Sequence, residues 1–156
     1  MVQGIVLRRL PLIAAVLTAA AAFSGCTVIK EYAPQEKAIA QVKPEEYKLA
    51  RALLAAFVAN DAKAFIALLP DEKRTNFNAE TFAKTRKSIV DSVGEPISFT
   101  YLSALELPSL TPQIWKVRFR RVNSRNGQEF TSELLFRVVT GMTGKNTPVI
   151  TAFQFL

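Results

Sequence analysis

The hydrophobic period changes once in this chain, at Gly94-Glu95-Pro96, and that change limits the folds open to it. Upstream, apolar residues recur every three to four positions. Tyr47, Ala50, Leu54, Phe57 and Val58 mark one helix, with Leu53 beside them. Phe65, Ile66, Leu68 and Leu69 mark a second, and Phe82, Ile89, Val90 and Val93 a third. Downstream the period is two. Ile97, Phe99 and Tyr101 alternate with Ser98 and Thr100, and Leu105 and Leu107 extend the same face. Trp115, Val117 and Phe119 alternate with Lys116, Arg118 and Arg120. Phe130, Ser132, Leu134, Phe136 and Val138 follow, then Val149, Thr151, Phe153 and Phe155. Three helices followed by four strands with one apolar face predict an α+β domain, with the helices on one side of an antiparallel sheet.

The punctuation agrees with the periods. Pro44 at a first helical position sacrifices no hydrogen bond, and Glu45 and Glu46 suit the positive end of a helix. Asn60 or Asp61 caps the second helix, which ends at Pro70, and Pro70 to Arg74 reads as a charged turn. Asn78 is an N-cap flanked by Phe77 and Phe82 at the two positions of a hydrophobic staple. Gly94 stands where a helix C-terminus needs it, with Pro96 just beyond. Pro108 and Pro112 bracket a loop. Asn126-Gly127 reads as a two-residue hairpin turn, which sets Phe119 opposite Leu134, Val117 opposite Phe136 and Arg120 opposite Glu133. Apolar then meets apolar, and opposite charges meet.

The amino-terminal stretch carries a different message. Arg8 and Arg9 precede an apolar run from Leu10 through Leu17 into four alanines and Phe23, then Ser24-Gly25-Cys26. A short basic region, a short apolar core and small residues before a cut site make a secretory signal. The run is too short for a confident membrane span, which takes about 20 apolar residues. Cys26 is the chain's single cysteine. This stretch resembles the bacterial lipoprotein signal, with Phe23 in the slot usually held by an aliphatic residue. The resemblance implies cleavage between Gly25 and Cys26 and lipid attachment at the Cys26 sulfur. Two or more acyl chains anchor stably where one does not. Thr27 rather than Asp after the cysteine implies, by the same resemblance, the outer membrane facing the periplasm of a two-membraned cell. The expected division is a signal peptide over 1–25, a lipidated cysteine and tether over 26–43, and one domain over 44–156.

Removing residues 1–25 from 156 leaves 131, enough for one domain with a core. One cysteine excludes an internal disulfide. The chain has no histidine, which removes the commonest general base and metal ligand. No metal cluster, phosphate loop or repeat stands out, so no cofactor and no metal are expected. The formal charge of +7 keeps +5 once Arg8 and Arg9 have left with the signal. That favours solubility, and export makes nucleic acid a poor partner.

The order of elements over 44–156, with the stretch from Asn60-Asp61 through Phe65, Leu68 and Leu69 and the helix ending at Gly94, resembles the nuclear-transport-factor-two-like, cystatin-like cone fold. There a curved sheet wraps the helices. The resemblance includes enzymes similar to ketosteroid isomerase, which need an acid or base in the cone, usually an Asp with a Tyr partner. Asp61, Asp71 and Asp91 are the aspartates available, and all three sit at caps, turns or a polar helix face. Tyr101 lies on an apolar strand face and reads first as a core aromatic. Trp115, at a strand start, reads as core or pocket rim. Lys116, Arg118, Arg120, Arg121, Arg125 and Arg137 make a basic stretch. It reads as a solvated sheet face paired with Glu129 and Glu133, or less simply as a contact surface. No catalytic set emerges. The expectation is a non-enzymatic, membrane-anchored envelope domain whose partner is another envelope protein or a small amphiphile. The alternatives are a ketosteroid-isomerase-like enzyme, intact or degenerate, with an acid in the cone, and a structural subunit of an envelope assembly.

Overall fold

A computed structural model describes residues 42–105, 107–144 and 146–156. The signal, Cys26 and most of the expected tether lie outside the described residues. Four helices, α1 (Pro44–Val58), α2 (Ala62–Ala67), α3 (Asp71–Arg74) and α4 (Ala79–Val93), precede four strands. These are β1 (Glu95–Ala104), β2 (Leu110–Val122), β3 (Glu129–Met142) and β4 (Pro148–Phe155). The strands form one antiparallel sheet in the order β1-β2-β3-β4, curved around the helices.

The caps work as the sequence implies. Asp61 Oδ1 accepts from Ala64 N–H at 2.9 Å to start α2, and Asn78 Oδ1 accepts from Thr81 N–H at 2.9 Å to start α4. Phe77 and Phe82 both pack on the Phe65 ring, at 5.6 and 5.1 Å between centroids, so the staple ties α4 to α2. Gly94 ends α4 at φ +102°. A Cβ there would stand 2.4 Å from the Arg120 carbonyl oxygen, so helix and sheet join where only glycine fits.

One rung of the sheet sets the core. Tyr101 pairs with Trp115, Trp115 with Phe136, and Phe136 with Phe155. The α1 residues Ala50, Leu53, Leu54 and Phe57 close over this face. Burial begins earlier than the expected domain start, because Val42 packs into the core.

Several expectations need correction. The turn between β2 and β3 is Ser124-Arg125-Asn126-Gly127, four residues rather than two. Asn123 and Gln128 close it, and Val117 pairs with Leu134 and Arg118 with Glu133. A two-residue type I′ turn needs positive φ at both central residues, and here Gly127 alone has it. Asn123 Oδ1 instead accepts from Arg125 N–H, starting a wider loop. The inner and outer faces survive because the register moves by two.

β2 begins at Leu110, so Pro112 lies within the strand. Its carbonyl accepts from Leu105 N–H near the strand's start, where one missing donor costs little. Leu105 and Leu107 do not extend the inner face and are 67% and 49% exposed. A bulge between Tyr101 and Ser103 reverses the alternation ahead of them. A second bulge, opposite Val139 and Thr140, puts Ile150 rather than Thr151 in the core. Asp71–Arg74 is a single helical turn, closed by an Asp71–Arg74 ion pair.

Candidate functional site

The last turn of α1 brings Phe57 to the centre of an aromatic cluster. Its ring lies 5.3 Å from Phe155, 6.3 Å from Phe82 and 6.4 Å from Phe136. Phe65 on α2 adds a second centre, 5.3 Å from Phe153 edge to face. Edge and tilted pairings leave gaps that flat stacking would close. The gap here is a cavity of about 300 Å³. Phe57, Phe65, Phe77, Phe82, Phe136, Phe153 and Phe155 line it, seven of the chain's eleven phenylalanines. At roughly 30 Å³ for each atom-sized volume, it has room for about ten non-hydrogen atoms.

Its wall holds one charged residue, Arg86 of α4. The Arg86 guanidinium lies 6.0 Å over the Phe57 ring, donates to the Phe57 carbonyl at 3.3 Å and pairs with Glu95 at 2.8 Å. It thereby satisfies a carbonyl at the negative end of α1. Among the described residues, no carboxylate lines the cavity.

The first turn of α1 meets a different interior. Glu46 is 2% exposed, and its carboxylate accepts from Thr111 Oγ1 at 2.8 Å. Gln113 Nε2 donates to the Glu46 carbonyl at 3.1 Å and to Thr140 Oγ1 at 3.3 Å, and Thr140 Oγ1 donates to the Thr111 carbonyl. Gln113 Oε1 and the Trp115 indole N–H are buried without a hydrogen-bond partner among the described residues.

Tyr101 is 3% exposed and sits against Tyr47 and Trp115, with ring centroids 5.5 and 5.2 Å away. Burial, with the neighbouring Tyr47 adding to it, pushes its hydroxyl up to about 12. The hydroxyl is therefore neutral and a donor at ordinary pH. The structure does not bring an aspartate to it. Asp61 caps α2, Asp71 pairs with Arg74, and Asp91 pairs with Lys87 on the exposed side of α4. Among the described residues the buried carboxylate is Glu46 instead. It meets Thr111, four residues along β2 from Tyr101's partner Trp115, roughly 13 Å along the strand.

Glu46 was legible only as a charge suited to a helix start. The missed signal is its spacing: 46, 50, 53, 54 and 57 form one stripe, and Glu46 is its polar member. Gln113 and Thr111 were hidden by the loop expected between Pro108 and Pro112. The cavity had a compositional signal, eleven phenylalanines, that does not disclose a void.

Half of the basic stretch is ion-paired on the outer sheet face. Glu133 takes Lys116 at 3.2 Å and Arg118 at 3.3 Å, and Glu129 takes Arg120 at 3.8 Å. Hydrogen bonds from Lys116 hold Glu133 below its usual carboxylate range, against a slight upward push from burial and with Arg118 helping. Arg121 donates to the Asp91 carbonyl. Among the described residues, no group of His, Cys, Asp and Glu could hold a metal ion, and no helix is long and apolar enough to cross a membrane.

The same architecture occurs in solved structures. A ketosteroid isomerase-like protein from Erwinia carotovora atroseptica superposes with a TM-score of 0.52 at 13% identity, over 71% of this chain and 92% of that one. The fold is nuclear-transport-factor-two-like. A putative ketosteroid isomerase from Shewanella frigidimarina gives 0.45 at 9% identity, over 74% and 98% of the two chains. A cystatin-fold protein from Novosphingobium aromaticivorans gives 0.44 at 13%, over 73% and 99%. No protein-family model and no curated protein matches the sequence.

Proposed function

We propose that this chain is a lipid-anchored binding domain of the bacterial cell envelope, which holds a small amphiphile among its phenylalanines without transforming it. The observation that carries the reading is the cavity of about 300 Å³, lined by seven aromatic rings and by no acid or base other than an arginine already engaged. Such a site offers apolar burial and one cation, and it lacks a group to accept or deliver a proton near neutral pH. The anchor reading rests on the sequence up to Cys26, and the outer-membrane reading on Thr27 in a two-membraned cell.

Two measurements test it. The mass of membrane-extracted protein equals residues 26–156 plus acyl chains, and Cys26→Ser prevents acylation. The mature Cys26→Ser chain binds 1-naphthylamine, which matches the cavity in size, at one saturable site, and octanoic acid displaces it. Ile89→Trp fills the cavity and removes that binding while the chain stays folded. Absence of saturable binding, or binding untouched by Ile89→Trp, sinks the binding reading.

The buried Glu46 keeps a second reading in view, an isomerase-like enzyme that uses this carboxylate. Turnover of a ketosteroid, abolished by Glu46→Gln at unchanged stability, would replace the first reading by the second.

A further inference from the structure

Four of the large apolar side chains exposed among the described residues lie on one hairpin. Leu102, Leu105, Leu107 and Leu110 surround the β1–β2 turn. The turn is braced, because Leu105 N–H donates to the Pro112 carbonyl at 2.9 Å and Leu107 N–H to the Leu110 carbonyl at 3.0 Å. The leucines are therefore held out on a structured tip. The bulge at Leu102 reverses the alternation ahead of Leu105 and Leu107, and all four leucines stay exposed, so internal packing does not account for them. An exposed apolar cluster of this kind marks a contact surface.

The chain itself indicates what the tip meets. Lys43, where the domain begins, lines one depression together with Leu107, Pro108 and Leu110. The sixteen residues from Cys26 to Gln41 therefore join the domain beside this hairpin. Even fully extended they reach at most roughly 55 Å. A chain held at Cys26 is thus tied to the bilayer at its leucine-bearing end. The charges point the other way. Arg120, Arg121 and Arg125 cluster at the opposite end of the sheet, on the β2–β3 hairpin. Electrostatic attraction alone would turn that end, not the leucines, toward an anionic surface.

We infer that the Leu105–Leu107–Leu110 tip inserts into the interfacial region of the lipid bilayer, docking the domain against the membrane that anchors it. This inference rests on the anchored reading of Cys26. The leucine contact is apolar, so it persists at high salt, and Glu106, between Leu105 and Leu107 in the sequence, makes a neutral bilayer a better partner than an anionic one. Leucine insertion at the headgroup boundary adds to the acyl anchor and fixes which end of the domain faces the periplasm.

The test uses the mature Cys26→Ser chain, which carries no acyl group, so its outcome is independent of the mass measurement on the anchor. Leu107→Cys, labelled with a polarity-sensitive dye, reports the environment of the tip. The expected result is a blue shift on adding phosphatidylcholine vesicles at high salt. A companion Leu105→Ser/Leu110→Ser change weakens vesicle binding by at least about tenfold. No shift with vesicles overturns the inference. So does a shift already present without them: concentration-dependent, it would mean a second copy covers the tip, and concentration-independent, the chain's own residues 26–41. A folded Leu105→Ser/Leu110→Ser protein, judged by circular dichroism, that binds vesicles as well as its parent overturns it too.

Discussion

The two ends of α1 look onto the same sheet and meet opposite solutions to burial. At its first turn, Glu46 enters a set of hydrogen bonds with Thr111, Gln113 and Thr140 that leaves Gln113 Oε1 without a partner among the described residues. At its last turn, Phe57 enters a ring of phenylalanines that leaves a cavity. Glu46 and Phe57 are eleven residues apart, roughly 16 Å along the helix. The polar end is directional, and a depression opens beside it. The aromatic end is non-directional and leaves room. A hydrogen bond fixes its partners within tenths of an ångström, whereas tilted rings tolerate a range of spacings. The space at the aromatic end is therefore lined mainly by rings, whereas the depression beside Glu46 is lined by polar and aliphatic groups.

That contrast can be broken in order of expected effect. Phe57→Ala removes the ring that meets Phe82, Phe136 and Phe155, and costs about 3–5 kcal/mol in chemical denaturation. A cost near 1 kcal/mol would mean the ring already borders too much empty space to count as core. Gln113→Leu keeps the volume and removes two donated hydrogen bonds, leaving the Glu46 carbonyl and Thr140 short of a donor. It costs about 1–3 kcal/mol. A stabilised Gln113→Leu protein would show that its partnerless Oε1 outweighs those bonds. Asn78→Ala removes the cap of α4 and costs about 1 kcal/mol, without altering naphthylamine binding. Lost binding would show that the cavity depends on where α4 begins.

A further effect is confined to the extremes of pH. Tyr101 is raised to about 12 in the folded chain, from 10.0. The unfolded chain loses this proton first as pH rises, so the Tyr101 contribution is complete below pH 10 and is lost between 10 and about 12. Tyr101→Phe flattens the stability profile over that window. Glu133 behaves oppositely. Its lowered value adds stability at neutral pH that fades as pH falls through the acid range, and solvent screening keeps that effect small.

The sequence disclosed what local chemistry decides. Asn78, Phe77, Phe82 and Gly94 specify α4 from its cap to its stop, and the structure places each in that role. The faces of β2 and β3 were legible because alternation survives a register shift of two. The leucine tip was not. Leu105 and Leu107 alternate like core residues, and a one-residue bulge at Leu102 turns them outward. Nothing local to the sequence announces that bulge. The polar set around Glu46 was hidden for a related reason. Its members come from α1, β2 and β3, 27 to 67 residues apart for the Gln113 bonds, and no short window contains them. The cavity depends on rings from five elements, and a void is a property of their packing, not of any one residue.

The position of β4 in the chain has a consequence for folding. Phe153 and Phe155 arrive last, yet Phe57, Phe65, Phe77 and Phe119 all rest on one or the other. The helices are made first and wait for their hydrophobic partner. Each strand pairs with its sequence neighbour, so the sheet assembles by short loop closures until that final strand seals it. Until that eight-residue strand is in place, those four rings lack one of their partners, so β4 completes the aromatic cluster that the helices begin.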